Sequence, residues 1–197
     1  MTEHRPYLLK NRHDYVPAAG RDAFLPGYDL LTRVLGMGPA YRELVTQAGP
    51  AAGRRVVEIG CGTGNLTVRV KKACPTADIV ATDPDPRALQ RAQRKAKGMT
   101  GIRFERAYAQ ELPFADARFD LALSSMMLHH VDEATKAAAA AEVFRVLRPG
   151  GVLHVVDVRG DALPHLFETA GFACAVVGYG HIRLAGKLTY LRATRPA

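Results

Sequence analysis

The sequence has no tryptophan, and aromatic residues make up only 7% of its 197 positions. No stretch approaches the roughly 20 apolar residues that a membrane-spanning helix needs, so no integral membrane association is expected. The opening residues, MTEHRPYLLKNRHDY, lack the apolar central region of a secretory signal. Cysteine is scarce and odd in number: Cys61, Cys74 and Cys174 show no paired spacing. That excludes a disulfide framework and gives no zinc-ligand pattern. The expectation is a cytoplasmic protein without a metal.

What is present suits one globular domain: 48% of residues are hydrophobic and 23% charged. The net charge is +8, from 27 basic and 19 acidic residues. A basic balance can signal nucleic acid or an anionic membrane surface. Here the positives are dispersed. The densest run, RALQRAQRKAK, places Arg87, Arg91 and Lys95 at helical spacing on one face. That face reads either as plain solvated surface or as an anion-binding one.

From Arg55 onward, short β-like runs alternate with helical stretches. Strands are expected at 55–59, 77–83, 101–108, 118–126, 151–158, 172–180 and 187–195. Helices are expected at 66–74, 84–98, 132–147 and 163–171, with RPGG at 148–151 as a breaker. The alternation implies an α/β fold, an open sheet with helices on both faces. The last two strands lack a helix between them and should pair antiparallel. Residues 1–50 read as an N-terminal helical extension over the sheet's edge or mouth, and 51–197 as the main domain. Within the extension, Tyr7, Tyr15 and Tyr28 are candidates to line a lid.

The segment VVEIGCGTGN at 56–65 carries the strongest chemical signal. A glycine turn after a first strand lets the backbone bend tightly and lets a ligand approach it. A nicotinamide-type turn spaces its glycines G-x-G-x-x-G. Gly60 and Gly62 fit, but the third glycine is Gly64 and position 65 is Asn65. Glu58, at the strand's end, is unfavourable beside a pyrophosphate and favourable beside an ammonium or sulfonium. About 20 residues on, the second strand ends in Asp83, placed to accept ribose hydroxyls.

With ATDPDPRAL, AQELPFADARFDLALSS and EVFRVLRPGGVL following in order, the chain resembles a class I S-adenosylmethionine-dependent methyltransferase. Within that superfamily it is similar to the type 11 group and to the C-methyltransferases of ubiquinone and menaquinone biosynthesis. FLPGYDLLTRVLGMG at 24–38 also resembles the segment before the glycine motif in those enzymes. The resemblance implies a Rossmann-like seven-stranded sheet, mostly parallel, and S-adenosyl-L-methionine as cofactor. It implies that Glu58, Gly60, Cys61, Gly62, Thr63 and Gly64 cradle the methionine part. Asp83 would bind the ribose and Pro84 pack on the adenine. Tyr108 stands where the family often has an adenine-binding Asp, leaving Ala109 and Gln110 as neighbouring contacts. Ser124 and Ser125 would face the methyl-donor end.

Methyl transfer from a sulfonium is an in-line displacement in which the protein aligns the acceptor and excludes water. A base is needed only if the acceptor must lose a proton. His129 and His130, after the fourth strand, are the candidate catalytic residues, with packing or helix capping as the alternative. Met126 and Met127 read as pocket lining or core. Asp157, near the end of the fifth strand, is a further candidate to face the site. His154 reads as buried and hydrogen-bonded, and His165 and His181 carry no assignment.

The leading expectation is a methyltransferase acting on a small-molecule or quinone-like lipid acceptor, with peripheral membrane contact left open. An RNA or protein acceptor is the alternative suggested by charge, although SSMM replaces the Asn-Pro-Pro-Tyr-type tetrad of adenine-N6 chemistry. A NAD(P) oxidoreductase and a non-catalytic cofactor-binding module are the remaining readings.

Overall fold

The structure, a computed structural model, describes residues 36–49, 53–158, 160–182 and 186–197. Seven strands form one sheet: β1 (Arg55–Ile59), β2 (Asp78–Asp83), β3 (Ile102–Arg106), β4 (Phe119–Ser125), β5 (Leu147–Val158), β6 (Ala173–Ile182) and β7 (Gly186–Thr194). Their order is β3-β2-β1-β4-β5-β7-β6. The first five are parallel, and β7 runs antiparallel to both β5 and β6. The expected α/β architecture and the antiparallel final pairing are both borne out. No helix among the described residues is long and apolar enough to cross a membrane.

Five α-helices are described: α1 (Met37–Ala48), α2 (Asn65–Ala73), α3 (Pro86–Lys95), α4 (Glu133–Val146) and α5 (Leu163–Thr169). Their starts follow local chemistry. Asp85 caps α3 by accepting from the Arg87 N–H, with Pro86 at the first position, and Asp132 caps α4 by accepting from Thr135 N–H. One sheet face buries Val56, Ile79, Leu121, Leu123 and Val156 against Leu44 of α1 and Leu66 and Val70 of α2. The opposite face buries Val57, Ile59, Val80 and Val155 against Val143 of α4 and Phe167 of α5. Alternate residues of each central strand thus serve opposite cores, which is why β1 reads as a mostly apolar run rather than an alternating one.

Two details depart from the sequence reading. α4 ends at Val146 and β5 begins at Leu147, so Arg148, Pro149 and Gly150 belong to the strand rather than to a separate break. A register shift between Phe119 and Leu121 absorbs that early start. His154 is buried as expected, but its Nδ1 has no hydrogen-bond partner. Burial, followed by nearby Arg192, pushes its pKa down to about 4. Of the N-terminal extension, α1 is described and packs on α2; Tyr7, Tyr15, Tyr28 and the segment 24–35 lie outside the described residues.

Candidate functional site

β1 lies between β2 and β4, so the strand order reverses there, and ligands of open α/β sheets bind beyond the carboxyl ends of the strands at such a point. The turn from β1 into α2 carries three left-handed glycines, Gly60, Gly62 and Gly64, at φ 71°, 52° and 77°. Gly60 is required twice over. A Cβ there would adopt a disfavoured φ and would sit 2.5 Å from the Cγ of Met127. Gly64 has the same left-handed backbone, and its Cβ would meet the Cβ of Ala92 on α3 at 2.9 Å. Glycine spacing here therefore serves two packing partners as well as the bend.

Two acids organise this turn. Glu58 is buried and its Oε2 accepts from the Thr67 hydroxyl of α2 at 2.5 Å. Asp83 is also buried; its Oδ2 accepts from Gly62 N–H at 2.8 Å and its Oδ1 from Asp85 N–H at 2.9 Å. Burial raises the Glu58 pKa to about 8, opposed by the Thr67 hydrogen bond. Burial likewise raises Asp83 to about 6, opposed by its two backbone donors. Cys61 is buried in the turn, its N–H bonded to Thr82 O at 2.9 Å, and burial holds its thiol well above the usual range. The thiol is therefore poorly suited to act as a nucleophile.

The neighbours of the turn include one side chain that the helical spacing placed on a surface face. Lys95, at the end of α3, reaches Thr63 Oγ1 at 3.2 Å and Asn65 Oδ1 at 2.7 Å. Pro84 follows β2 and its carbonyl accepts from Arg106 Nε at 3.0 Å. Tyr108 forms a short antiparallel bridge with Glu111, enclosing Ala109, which packs on the core, and the exposed Gln110.

At the end of β4 the two serines part company. Ser124 is buried and donates to Ile59 O at 3.1 Å, tying β4 to β1. Ser125 Oγ is buried without a hydrogen-bond partner among the described residues. Met126 then takes φ 58°, a strained value for a side chain of this size. It turns the chain so that Met127 lies over Gly60 and a short 3₁₀ turn, Leu128–His130, follows.

That turn is held from the neighbouring strand. Asp157, buried on β5, accepts from Leu128 N–H at 2.8 Å and His129 N–H at 3.4 Å through Oδ2. Its Oδ1 accepts from Val158 N–H at 2.7 Å and stands 2.6 Å from His129 Nδ1. The His130 ring packs on that of His129 with centroids 3.8 Å apart and the two planes tilted by 41°. The sequence placed Asp157 near the site but gave no sign of this pairing. The available signal was topological: β4 and β5 are adjacent, so their carboxyl ends meet. No cluster of three or more metal-ligating side chains occurs among the described residues.

Residues 56–151 match the family model described as a methyltransferase domain. The chain is 32% identical over 163 residues to the ubiquinone/menaquinone biosynthesis C-methyltransferase UbiE of Desulfotalea psychrophila, covering 78% of this chain and 65% of that protein. It is 35% identical over 136 residues to the demethylmenaquinone methyltransferase of Deinococcus radiodurans, covering 67% of this chain and 56% of that protein. The chain thus spans less than two thirds of either relative. In fold it is similar to the crystal structure of a SAM dependent methyltransferase from Aquifex aeolicus, with a TM-score of 0.72 at 16% identity, covering 88% of this chain and 97% of that one.

Proposed function

We propose that this chain, whose residues 56–151 carry a methyltransferase domain, transfers a methyl group from S-adenosyl-L-methionine to a small quinone-like or lipid-like ring acceptor. The observation that carries the reading is the pair of buried acids, Glu58 and Asp83, at the carboxyl ends of β1 and β2 beside left-handed glycines. The donor set fits the cofactor. Glu58 offers a carboxyl to cationic amino and sulfonium groups, Asp83 offers acceptors for ribose hydroxyls, and the left-handed turn from Gly60 to Gly64 sets its backbone beside both acids. Thr63, Cys61 and Gly62 would complete the cradle, Pro84 would pack on the adenine, and Ala109 and Gln110 would offer it backbone or amide contacts. Ser125, with its unpartnered hydroxyl, is the polar group at the methyl-donor end, while Ser124 fixes the strand beneath it.

When bound, the cofactor supplies the activated methyl group. The protein's own residues hold it, align the acceptor and exclude water. The quinone-like acceptor is supported by the two relatives, each named for quinone biosynthesis or a menaquinone precursor. His129 and His130 stand on the turn that the acceptor would meet. Isothermal calorimetry with S-adenosylmethionine and with NAD tests the cofactor, and labelled-methyl transfer across hydroquinones, phenols, amines, phospholipids and RNA tests the acceptor. Binding of NAD in place of S-adenosylmethionine overturns the reading.

A further inference from the structure

We infer that Asp157 and His129 form a fixed base for an acceptor hydroxyl, so that the substrate is a ring bearing an acidic O–H rather than an amine or an already activated carbon. The inference rests on the methyltransferase reading above and sharpens its substrate class. It comes from how completely Asp157 is committed. The carboxyl is buried and receives three backbone N–H groups, from Leu128, His129 and Val158. A carboxylate that gathers three donors is an acceptor, so the fourth contact, 2.6 Å to His129 Nδ1, is made by an Nδ1–H. The neutral ring then carries its lone pair on Nε2. The tautomer and the ring orientation are both set by a group that is itself immobilised on β5.

The location matches this role. The backbone of the histidine turn is fastened to the same Asp157, and Met127 of that turn rests on Gly60 in the glycine turn. The base and the cofactor cradle are therefore adjacent through one side chain. The His129 side chain keeps 21% of its surface exposed, in contrast to 1% for Asp157. The pair has the distribution expected of a reacting group and its support. Besides Asp157, a second titratable group, His130, packs on the ring with centroids 3.8 Å apart.

The step is a proton transfer. The hydroxyl proton of the acceptor moves to Nε2, and the imidazolium that forms keeps its Nδ1–H on Asp157. The O–H bonding pair stays on the ring oxygen and is delocalised onto the neighbouring ring carbon, which becomes the nucleophile toward the methyl group. The bound cofactor would supply the methyl group to that carbon and would keep the electron pair of the bond it gives up. The methylated carbon then releases its own proton to solvent, the ring regains aromaticity, and the ring oxygen takes a proton back from the imidazolium, which leaves His129 neutral again. Asp157 is a positioning residue here; His129 touches the substrate.

Two measurements test this on the full chain. The first uses nitrogen-15 imidazole spectra of the free protein. His129 should show the Nδ1–H tautomer, and Asp157→Asn should lose that signature; an Nε2–H tautomer in the wild type overturns the base. The second uses 1,4-dihydroxynaphthalene as acceptor under anaerobic reducing conditions. His129→Asn keeps an amide donor for Asp157 and removes Nε2. Its kcat should fall about 100-fold or more, the usual range for losing a general base, with KM and S-adenosylmethionine affinity within threefold of wild type. Wild-type kcat in His129→Asn overturns the base and leaves the methyltransferase reading standing. A wild-type protein that methylates amines or RNA and no ring hydroxyl compound overturns the acceptor class and the base together.

Discussion

At the carboxyl ends of β1 and β2, polar groups near in sequence satisfy one another: Glu58 meets Thr67 across 9 residues and Asp83 meets Gly62 across 21. At the carboxyl ends of β4 and β5, the organising contact spans 29 residues, from Asp157 to Leu128, and joins two elements with α4 between them. The first region is built from backbone N–H groups and left-handed glycines. The second is built from one side chain that reaches under a strained turn at Met126. The glycine turn is held by several partners, Thr67, Asp83 and, from the end of α3, Lys95. The turn that would meet the acceptor hangs on one side chain from the neighbouring strand, so its backbone depends on Asp157.

The largest expected effect comes from breaking the cradle itself. Gly60→Ala forces a side chain into a left-handed backbone and against Met127, and the two penalties together amount to about 3 kcal/mol of stability. Chemical denaturation should show that loss, and calorimetry should show cofactor binding abolished. Adding Met127→Ala should recover the steric part and leave the backbone part. A double variant no better than Gly60→Ala would mean that Met127 does not press on the turn.

Next is the second acid of the cradle. Asp83→Ala leaves the N–H groups of Gly62 and Asp85 without their acceptor and removes the candidate ribose contact. Cofactor affinity should weaken by about 1–3 kcal/mol, the cost of leaving buried groups unpaired. An unchanged dissociation constant would detach Asp83 from ligand binding and leave it a purely structural support of the turn.

The two acids also give the cradle a pH dependence. Burial holds Glu58 at about 8 and Asp83 at about 6, both above the ordinary carboxyl range. A raised carboxyl pKa stabilises the free fold most below pH about 4 and loses that contribution as pH rises through 6 and then 8. A cationic ligand favours the ionised acids, so binding releases protons and tightens with rising pH until about 8. Calorimetry near pH 7 in buffers of different ionisation enthalpy should find release of about one proton per cofactor bound. Proton uptake, or affinity that falls from pH 6 to 8, would show that Glu58 does not ionise against the ligand.

The contrast between the two regions also explains what the sequence disclosed. RVVEI was readable as β1 because a strand buried on both faces is mostly apolar and β-branched, and here it runs into a glycine turn. The final antiparallel pair followed from the missing helix between β6 and β7. The start of β5 at Leu147 was not readable, because Arg148, Pro149 and Gly150 are poor strand formers that tertiary pairing overrides. Lys95 looked like part of a solvated stripe because helical spacing shows the face of α3, not the reach of a four-carbon stem to Asn65. The glycine turn and its two acids stood out from their spacing, and the family resemblance supplied the other expected cradle residues. Asp157 needed the strand order before its partner could be found.

The smallest expected effect tests the acceptor region at its finest grain, between two adjacent histidines. His130 is exposed, and among the described residues no carboxylate lies within hydrogen-bond distance of its ring. Loss of solvent around part of the ring and the neighbouring His129 hold its pKa below the usual imidazole value, so it is neutral at pH 7 with no partner to fix its tautomer. His130→Ala removes exposed surface from the end of a short turn whose backbone stays anchored by Asp157. Stability should change by less than about 0.5 kcal/mol, and turnover by less than about threefold. Thermal denaturation and steady-state kinetics beside His129→Asn make the comparison direct. A loss on His130→Ala as large as that on His129→Asn would mean that the packed rings act together, and that Asp157 selects neither of them.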